Sequence, residues 1–222
     1  MRALGAVVSK ISHDLNNHLT VINGFSELVL LQLQSLDQPS GNVEQILRSA
    51  GQIADMTGKF QVFSRRALPH DEQISLRRFL LQWESDFRTS LPEGIELILD
   101  LPEDSCRVAV EGDVLHEILR ILAANACEAM AAGGQLRICA VRPEPPDSGI
   151  LLTVTDSGHG LEDAAREHLF EPFFTTREGH KGFGLFTAYG LVRRAKGSLR
   201  IGSEKGRGTR VTIRLPECRE SF

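Results

Sequence analysis

The chain has 222 residues, 41% of them hydrophobic and 24% charged, with a net charge of −4. That balance suits an ordinary globular protein of one large or two small domains, and it lacks the basic surface that nucleic acid demands. No apolar run reaches the length of a membrane span and no signal-peptide pattern opens the chain, so a cytoplasmic protein is expected.

Apolar residues at Leu4, Val8, Ile11, Leu15, Leu19, Ile22, Phe25, Val29 and Leu33 step by three and four, which predicts one stripe along a long helix. Proline and glycine in "SLDQPSGN" (35–42) break the pattern, and a second stripe follows at Val43, Ile46, Leu47, Ala50, Ile53, Ala54, Phe60 and Phe63. The expected unit is a helical hairpin. Alone it leaves apolar surface exposed, whereas two copies form a four-helix bundle with a shared core, so a homodimer is expected. Packing of the hairpin against the rest of the chain would cover the same surface.

The polar stretch "RRALPHDEQ" (65–73) precedes a change of pattern and divides the chain into residues 1–66, a linker at 67–73, and residues 74–222. Beyond it, "SLRRFLLQWESDFRTSL" reads as a helix, while "IELILDL" and "CRVAV" read as strands. "DVLHEILRILAANACEAMAAG" is helical with Asp113 at its start. "QLRICAV" and "GILLTVTDSG" are strands separated by the loop "RPEPPDSG" (142–149). "GLFTAYGLVRRAKG" is a helix that Gly197 terminates, and "SLRIGSEKGRGTRVTIRL" is a hairpin with Val211, Ile213 and Leu215 facing inward. Strands on one side and helices on the other predict an α/β sandwich. Cys106, Cys127, Cys139 and Cys218 have no C-x-x-C spacing and no paired histidines, and read as reduced thiols.

Three pieces of the second region carry chemistry. Asn125 lies on an otherwise apolar or small-residue helix, where it is either a satisfied core amide or a ligand. In "DSGHGL" Asp156 ends an apolar strand and Gly158 and Gly160 follow. The run is either a tight turn or a place where glycines admit a base and the aspartate accepts from its exocyclic amine. "GHKGFGLF" (179–186) opens a helix with glycines, the arrangement that offers backbone N–H groups to phosphate.

The order of these pieces, with "FEPFFTTR" between the second and third and a closing hairpin carrying "GRGT", resembles the ATP-binding domain of sensor histidine kinases. That fold is shared with gyrase-type ATPases. "SHDLNNHLTVINGF" then resembles the phosphoacceptor box of the same family, so the likeness spans nearly the whole chain. It implies an α+β architecture: an antiparallel helical hairpin forming a dimeric four-helix bundle, then an α/β sandwich of the Bergerat type. The implied activity is ATP-dependent phosphorylation of His13 and transfer to an aspartate of a response regulator, with ATP and Mg²⁺ as cofactors.

His13 lies off the apolar stripe and Asn17 stands one turn along the same face, while Asp14 is about 100° further round. An imidazole with an ordinary pKa of about 6.5 is a usable nucleophile near neutral pH. The resemblance implies attack by His13 on the γ-phosphorus and assistance by Asp14 at the other ring proton. For Asn17 it implies orientation of a water during dephosphorylation of the regulator, and an exposed helix amide remains the alternative. It also implies Asn125 on Mg²⁺ and phosphate, Asp156 on the adenine amine, and Gly158 and Gly160 around the base. Gly182, Gly184 and Leu185 of "GFGL" fall at the phosphates, and Thr209 ends the "GRGT" run. Phe173 and Phe174 would anchor a lid, and Thr175, Thr176, Arg177 and Lys181 would be its contacts.

Two departures from the family stand out. Many members carry a second asparagine one turn before Asn125, where this chain has Ile121, and isoleucine ligates no cation; Glu117 is the alternative ligand two turns back. His180 stands where a glycine often opens the phosphate loop. A dimeric relay protein that passes phosphate through His13 without useful ATP binding is therefore a second expectation, and a partner-binding scaffold a third. No sensor module precedes His13, so the signal comes from a partner or from a longer protein.

Overall fold

The computed structural model describes residues 15–17, 19–31, 43, 46–48, 50–51, 53, 73–102, 106–144, 149–162, 168–171, 174–176 and 182–218. The chain divides into two compact units, Met1–Arg65 and Arg66–Phe222.

In the first unit, residues 15–17 and 19–31 are helical (α1), as are residues 43, 46–48, 50, 51 and 53 (α2). Leu19, Ser26 and Ala50 are buried, but Leu15, Ile22, Phe25 and Val29 of the same stripe are exposed, Phe25 by 67%. Val21 and Leu28 are exposed beside them, as are Ile46 and Ile53 on α2. At 100° per residue the exposed apolar positions from Leu28 round to Leu15 cover an arc of about 140° of α1. One flank is satisfied inside a single chain, and the rest is apolar surface with water on it. Leu4, Val8, Ile11, Leu33, Ala54, Phe60 and Phe63 lie outside the described residues.

The second unit is built on a five-stranded sheet of order β2-β4-β5-β7-β6. Its strands are β2 (Ile95–Asp100), β4 (Gly134–Val141), β5 (Ile150–Asp156), β6 (Ser198–Ser203) and β7 (Thr209–Leu215). Only β2 and β4 run parallel. Alternation sends Leu136, Ile138 and Ala140 of β4, Ile150, Leu152 and Val154 of β5, and Val211, Ile213 and Leu215 of β7 to one buried face. A two-stranded ribbon of β1 (Ile74–Ser75) and β3 (Arg107–Val108) stands apart. The strand expected over "CRVAV" is thus cut to two residues, since Val108 pairs only with Ile74 and, by an isolated bridge, with Glu217.

Among the described residues the unit also has helices α3 (Leu76–Arg88), α4 (Gly112–Ala129) and α5 (Gly184–Arg194). In α3 Leu76, Leu80 and Trp83 are buried at helical spacing, with Trp83 stacked on Phe87 at 4.6 Å. From α4, Val114, Leu115, Ile118, Leu119, Ile121, Leu122, Ala123 and Ala126 are buried. Each large one contributes about 1.5–3 kcal/mol. Helices α4 and α5 pack on each other and on the sheet. Arg194 at the end of α5 meets Glu111 at the start of α4 at 2.5 Å, joining their ends.

The stop of α5 differs from the expectation at Gly197. The left-handed residue is Lys196, at φ 57°, and its amide bonds the Arg193 carbonyl while the Gly197 amide bonds Val192. This is a Schellman closure with lysine where glycine is usual. Gly197 is required by space instead, because a Cβ there would stand 2.5 Å from the Arg214 carbonyl oxygen.

Candidate functional site

Asp156 is the last residue of β5 and only 7% exposed. The sheet register runs Leu97–Leu136–Asp156–Thr209–Ser203 across five strands, so the carboxylate sits in the row that ends the buried face. Its Oδ1 accepts the Gly158 amide at 2.9 Å and the Thr209 amide at 3.1 Å. Two backbone donors on one oxygen fix the carboxylate's orientation.

The turn after Asp156 is clamped from three sides. The Ser157 amide bonds the Gln135 carbonyl, and Ser157 Oγ accepts the Gln135 amide at 2.9 Å. The His159 amide reaches the Ala129 carbonyl at the end of α4, and the His159 carbonyl accepts the Gly206 amide at 2.7 Å. Glycine is needed at Gly160 (φ 67°) and Gly208 (φ 86°): a Cβ would overlap the Glu204 carbonyl in the first case and the Asp156 carbonyl in the second. Gly158 has an ordinary backbone, but a Cβ there would lie 2.5 Å from the Ala129 carbonyl oxygen.

The other end of the site lies where α5 begins. Gly182 adopts φ 67°, Phe183 is buried, and Gly184 opens the helix with its face exposed. The point where a Gly184 Cβ would stand is 3.5 Å from Asn125 Oδ1, 3.6 Å from Asn125 Nδ2 and 3.6 Å from Ile121 Cγ2. A helix start presents its first backbone amides outward and favours an anion, and α5 starts here. Ile121, Asn125 and Ala129 follow one another at intervals of four along α4, so both ends share one helix face, with Asn125 about 6 Å along the axis from Ala129. Cys127, on the same turn as Asn125, has its thiol pushed up first by burial and then by the charges of Glu128 and Asp156.

A divalent cation finds little here. Ile121 is 7% exposed and apolar where a ligand would help, and both Glu117 carboxylate oxygens accept from Arg120, at 2.6 and 2.7 Å. Among the described residues no group of three His, Cys, Asp or Glu side chains gathers to hold a metal.

The structure thus brings Asp156, Gly158, Gly160 and Thr209 together, and separately Asn125 with Gly184; Leu185 is half-buried in the first turn of α5. Phe174 is half-buried, its ring 5.5 Å from His168, and Thr175 and Thr176 are exposed. Asn17 is helical and exposed on α1. His13, Asp14, Phe173, Arg177, His180 and Lys181 lie outside the described residues. Two contributors had no signal in sequence. Ser203 Oγ accepts the Leu161 amide and donates to the Gly208 carbonyl, both at 2.9 Å, tying the turn to the hairpin. Phe170 packs against Tyr189 of α5 with ring centres 4.8 Å apart and planes tilted by 32°. A serine before a turn and a phenylalanine in an aromatic run resemble many others.

Residues 3–68 match the family model described as the His Kinase A (phospho-acceptor) domain, and residues 111–219 match that of the histidine kinase-, DNA gyrase B- and HSP90-like ATPase. The chain belongs to the histidine kinases. It is 30% identical over 99% of its length to the sensor kinase CckA of Brucella abortus, covering 25% of that protein. It is 31% identical over 97% of its length to the C4-dicarboxylate transport sensor protein DctB of Pseudomonas aeruginosa, covering 36% of it. The chain therefore spans about a quarter to a third of these relatives. Among solved structures, full-length ShkA in complex with AMPPNP shares the fold with a TM-score of 0.68 at 19% identity, over 98% of this chain and 47% of that one. The histidine kinase AdeS of Acinetobacter baumannii gives 0.59 at 17%, over 93% and 98%. This histidine kinase core thus pairs a phosphoacceptor domain with a Bergerat-type ATPase domain, and among the described residues no helix is long and apolar enough to cross a membrane.

Proposed function

We propose that this kinase core binds ATP in its second unit, phosphorylates its own His13, and passes the phosphoryl group to an aspartate of a response regulator. The observation that carries the reading is the Asp156 carboxylate, held by the Gly158 and Thr209 amides in a turn that glycines keep open. A carboxylate so anchored accepts the adenine amine with its charge-assisted face. The amides of the first turn of α5, with Asn125 beside Gly184, receive the phosphates. Asn125 is the residue that would hold a Mg²⁺ ion carried by the nucleotide, and the ion would supply charge neutralisation at the phosphates. His13 attacks through a neutral ring nitrogen, the bond from the γ-phosphorus to the ADP oxygen breaks, and Asp14 holds the proton on the other ring nitrogen.

The assembly is a homodimer. Leu15, Ile22, Phe25 and Val29 of α1 and Ile46 and Ile53 of α2 form exposed apolar surface on one hairpin that a second hairpin would bury. The chain works in the cytoplasm, where ATP and receiver domains are available, on a signal from an upstream partner or a preceding region.

The test is incubation with γ-labelled ATP and Mg²⁺. Acid-labile, base-stable label is expected in wild type and absent from His13→Gln, which keeps nucleotide binding. Label persisting in the variant moves the site elsewhere. Buried Ile121 beside Asn125 favours the relay alternative, in which His13 is labelled only from a phosphorylated partner and never from ATP.

A further inference from the structure

We infer that, among the described residues, this protein offers the divalent cation a single side-chain ligand, Asn125, so that Mg²⁺ strengthens nucleotide binding only modestly. The inference rests on the nucleotide reading above and concerns how the phosphate end of that site is built. Two side chains of α4 face the start of α5: the Asn125 amide and the Ile121 methyl, which lie 3.5–3.6 Å from the same point above Gly184. Only the amide oxygen can ligate a hard cation, which takes oxygen ligands and keeps several waters. The Ile121 methyl withholds a second ligand and presents an apolar surface that a hydrated ion gains nothing by approaching.

One turn earlier on α4, the carboxylate that might have replaced it is committed. Glu117 spends both oxygens on Arg120, in a two-bond pair whose guanidinium pKa is pushed up by that hydrogen bond. A cation brought to Glu117 would stand beside the Arg120 guanidinium, whose charge opposes it. The affinity for nucleotide therefore comes chiefly from the other components: the anchored Asp156, the glycine turn and the α5 amides, none of which needs a metal.

The experiment is titration calorimetry of the full chain with AMPPNP and with ADP, each in excess Mg²⁺ and in EDTA. Wild type is expected to bind both nucleotides, more tightly in Mg²⁺ by no more than about tenfold, the worth of the one amide ligand that Asn125 offers. In Ile121→Asn, Mg²⁺ is expected to improve AMPPNP affinity on the order of a hundredfold, a further tenfold or so over wild type for the second amide ligand. Wild-type binding that is strong in Mg²⁺ and lost in EDTA overturns the inference and leaves the nucleotide site standing. Absence of binding in both conditions removes the nucleotide site and the inference with it. The wild-type comparison is decisive even where the buried substitution lowers stability, and Ile121→Val, which adds no ligand, is expected to repeat the wild-type ratio.

Discussion

Asp156 and Thr209 stand opposite each other across β5 and β7, and the Asp156 carboxylate turns back to accept the Thr209 amide at 3.1 Å. A residue proposed to read the base is thus also a structural link between the DSGHGL turn and the closing hairpin. Its two roles separate by measurement.

Asp156→Asn can keep the Gly158 and Thr209 bonds through its amide oxygen, but its NH₂ then faces the adenine amine. A loss of about 1.5–3 kcal/mol in nucleotide affinity is expected, the usual worth of a hydrogen bond to a charged group. Calorimetry reads the affinity, and thermal melting should show a much smaller change. Equal affinity in variant and wild type would take Asp156 out of the site.

Two glycines in the same hairpin should respond in opposite directions. Gly208→Ala forces a side chain onto φ 86° and against the Asp156 carbonyl, which is expected to cost about 2 kcal/mol or more. Gly202→Ala meets nothing within 4 Å and should stabilise by roughly 0.4–1 kcal/mol, because it narrows the unfolded ensemble. Denaturant melts of both variants check the contrast, and similar behaviour of the two would mean the turn can relax.

The apolar arc of α1 predicts where assembly resides. A fragment ending at Arg66 should be a helical dimer, whereas one starting at Ile74, where β1 begins, should be monomeric. Light scattering that finds the isolated hairpin folded and monomeric removes the four-helix-bundle argument.

The phosphoacceptor face predicts a division of labour. Asn17 is exposed on α1, four positions after His13 in the sequence, and has no proton-accepting group for the kinase step. Asn17→Ala should spare autophosphorylation and transfer while slowing dephosphorylation of the cognate regulator. Asp14→Asn should chiefly slow autophosphorylation, by about 10²–10⁴-fold if its role is general acid–base assistance. Single-turnover labelling and regulator dephosphorylation assays, run on both variants, separate the two steps. Loss of the same step in each would contradict the assignment.

By itself the sequence determined the alternation of β4, β5 and β7 and the helices α3 to α5, because hydrophobic period and glycine breaks are local signals. It also determined the family, since the D-x-G-x-G and G-x-G-L runs retain their order along the chain. Only the tertiary structure decided that Asp156 bonds Thr209, fifty-three residues away, because sheet register brings them together. The same holds for Gly197, whose need for glycine comes from the Arg214 carbonyl on a neighbouring strand, and for Lys196, which takes the left-handed turn instead. Glu117 reads as an available carboxylate until its side chain is seen closed on Arg120. Each of these depends on which surfaces meet after the chain has folded, and a one-dimensional pattern carries no record of that.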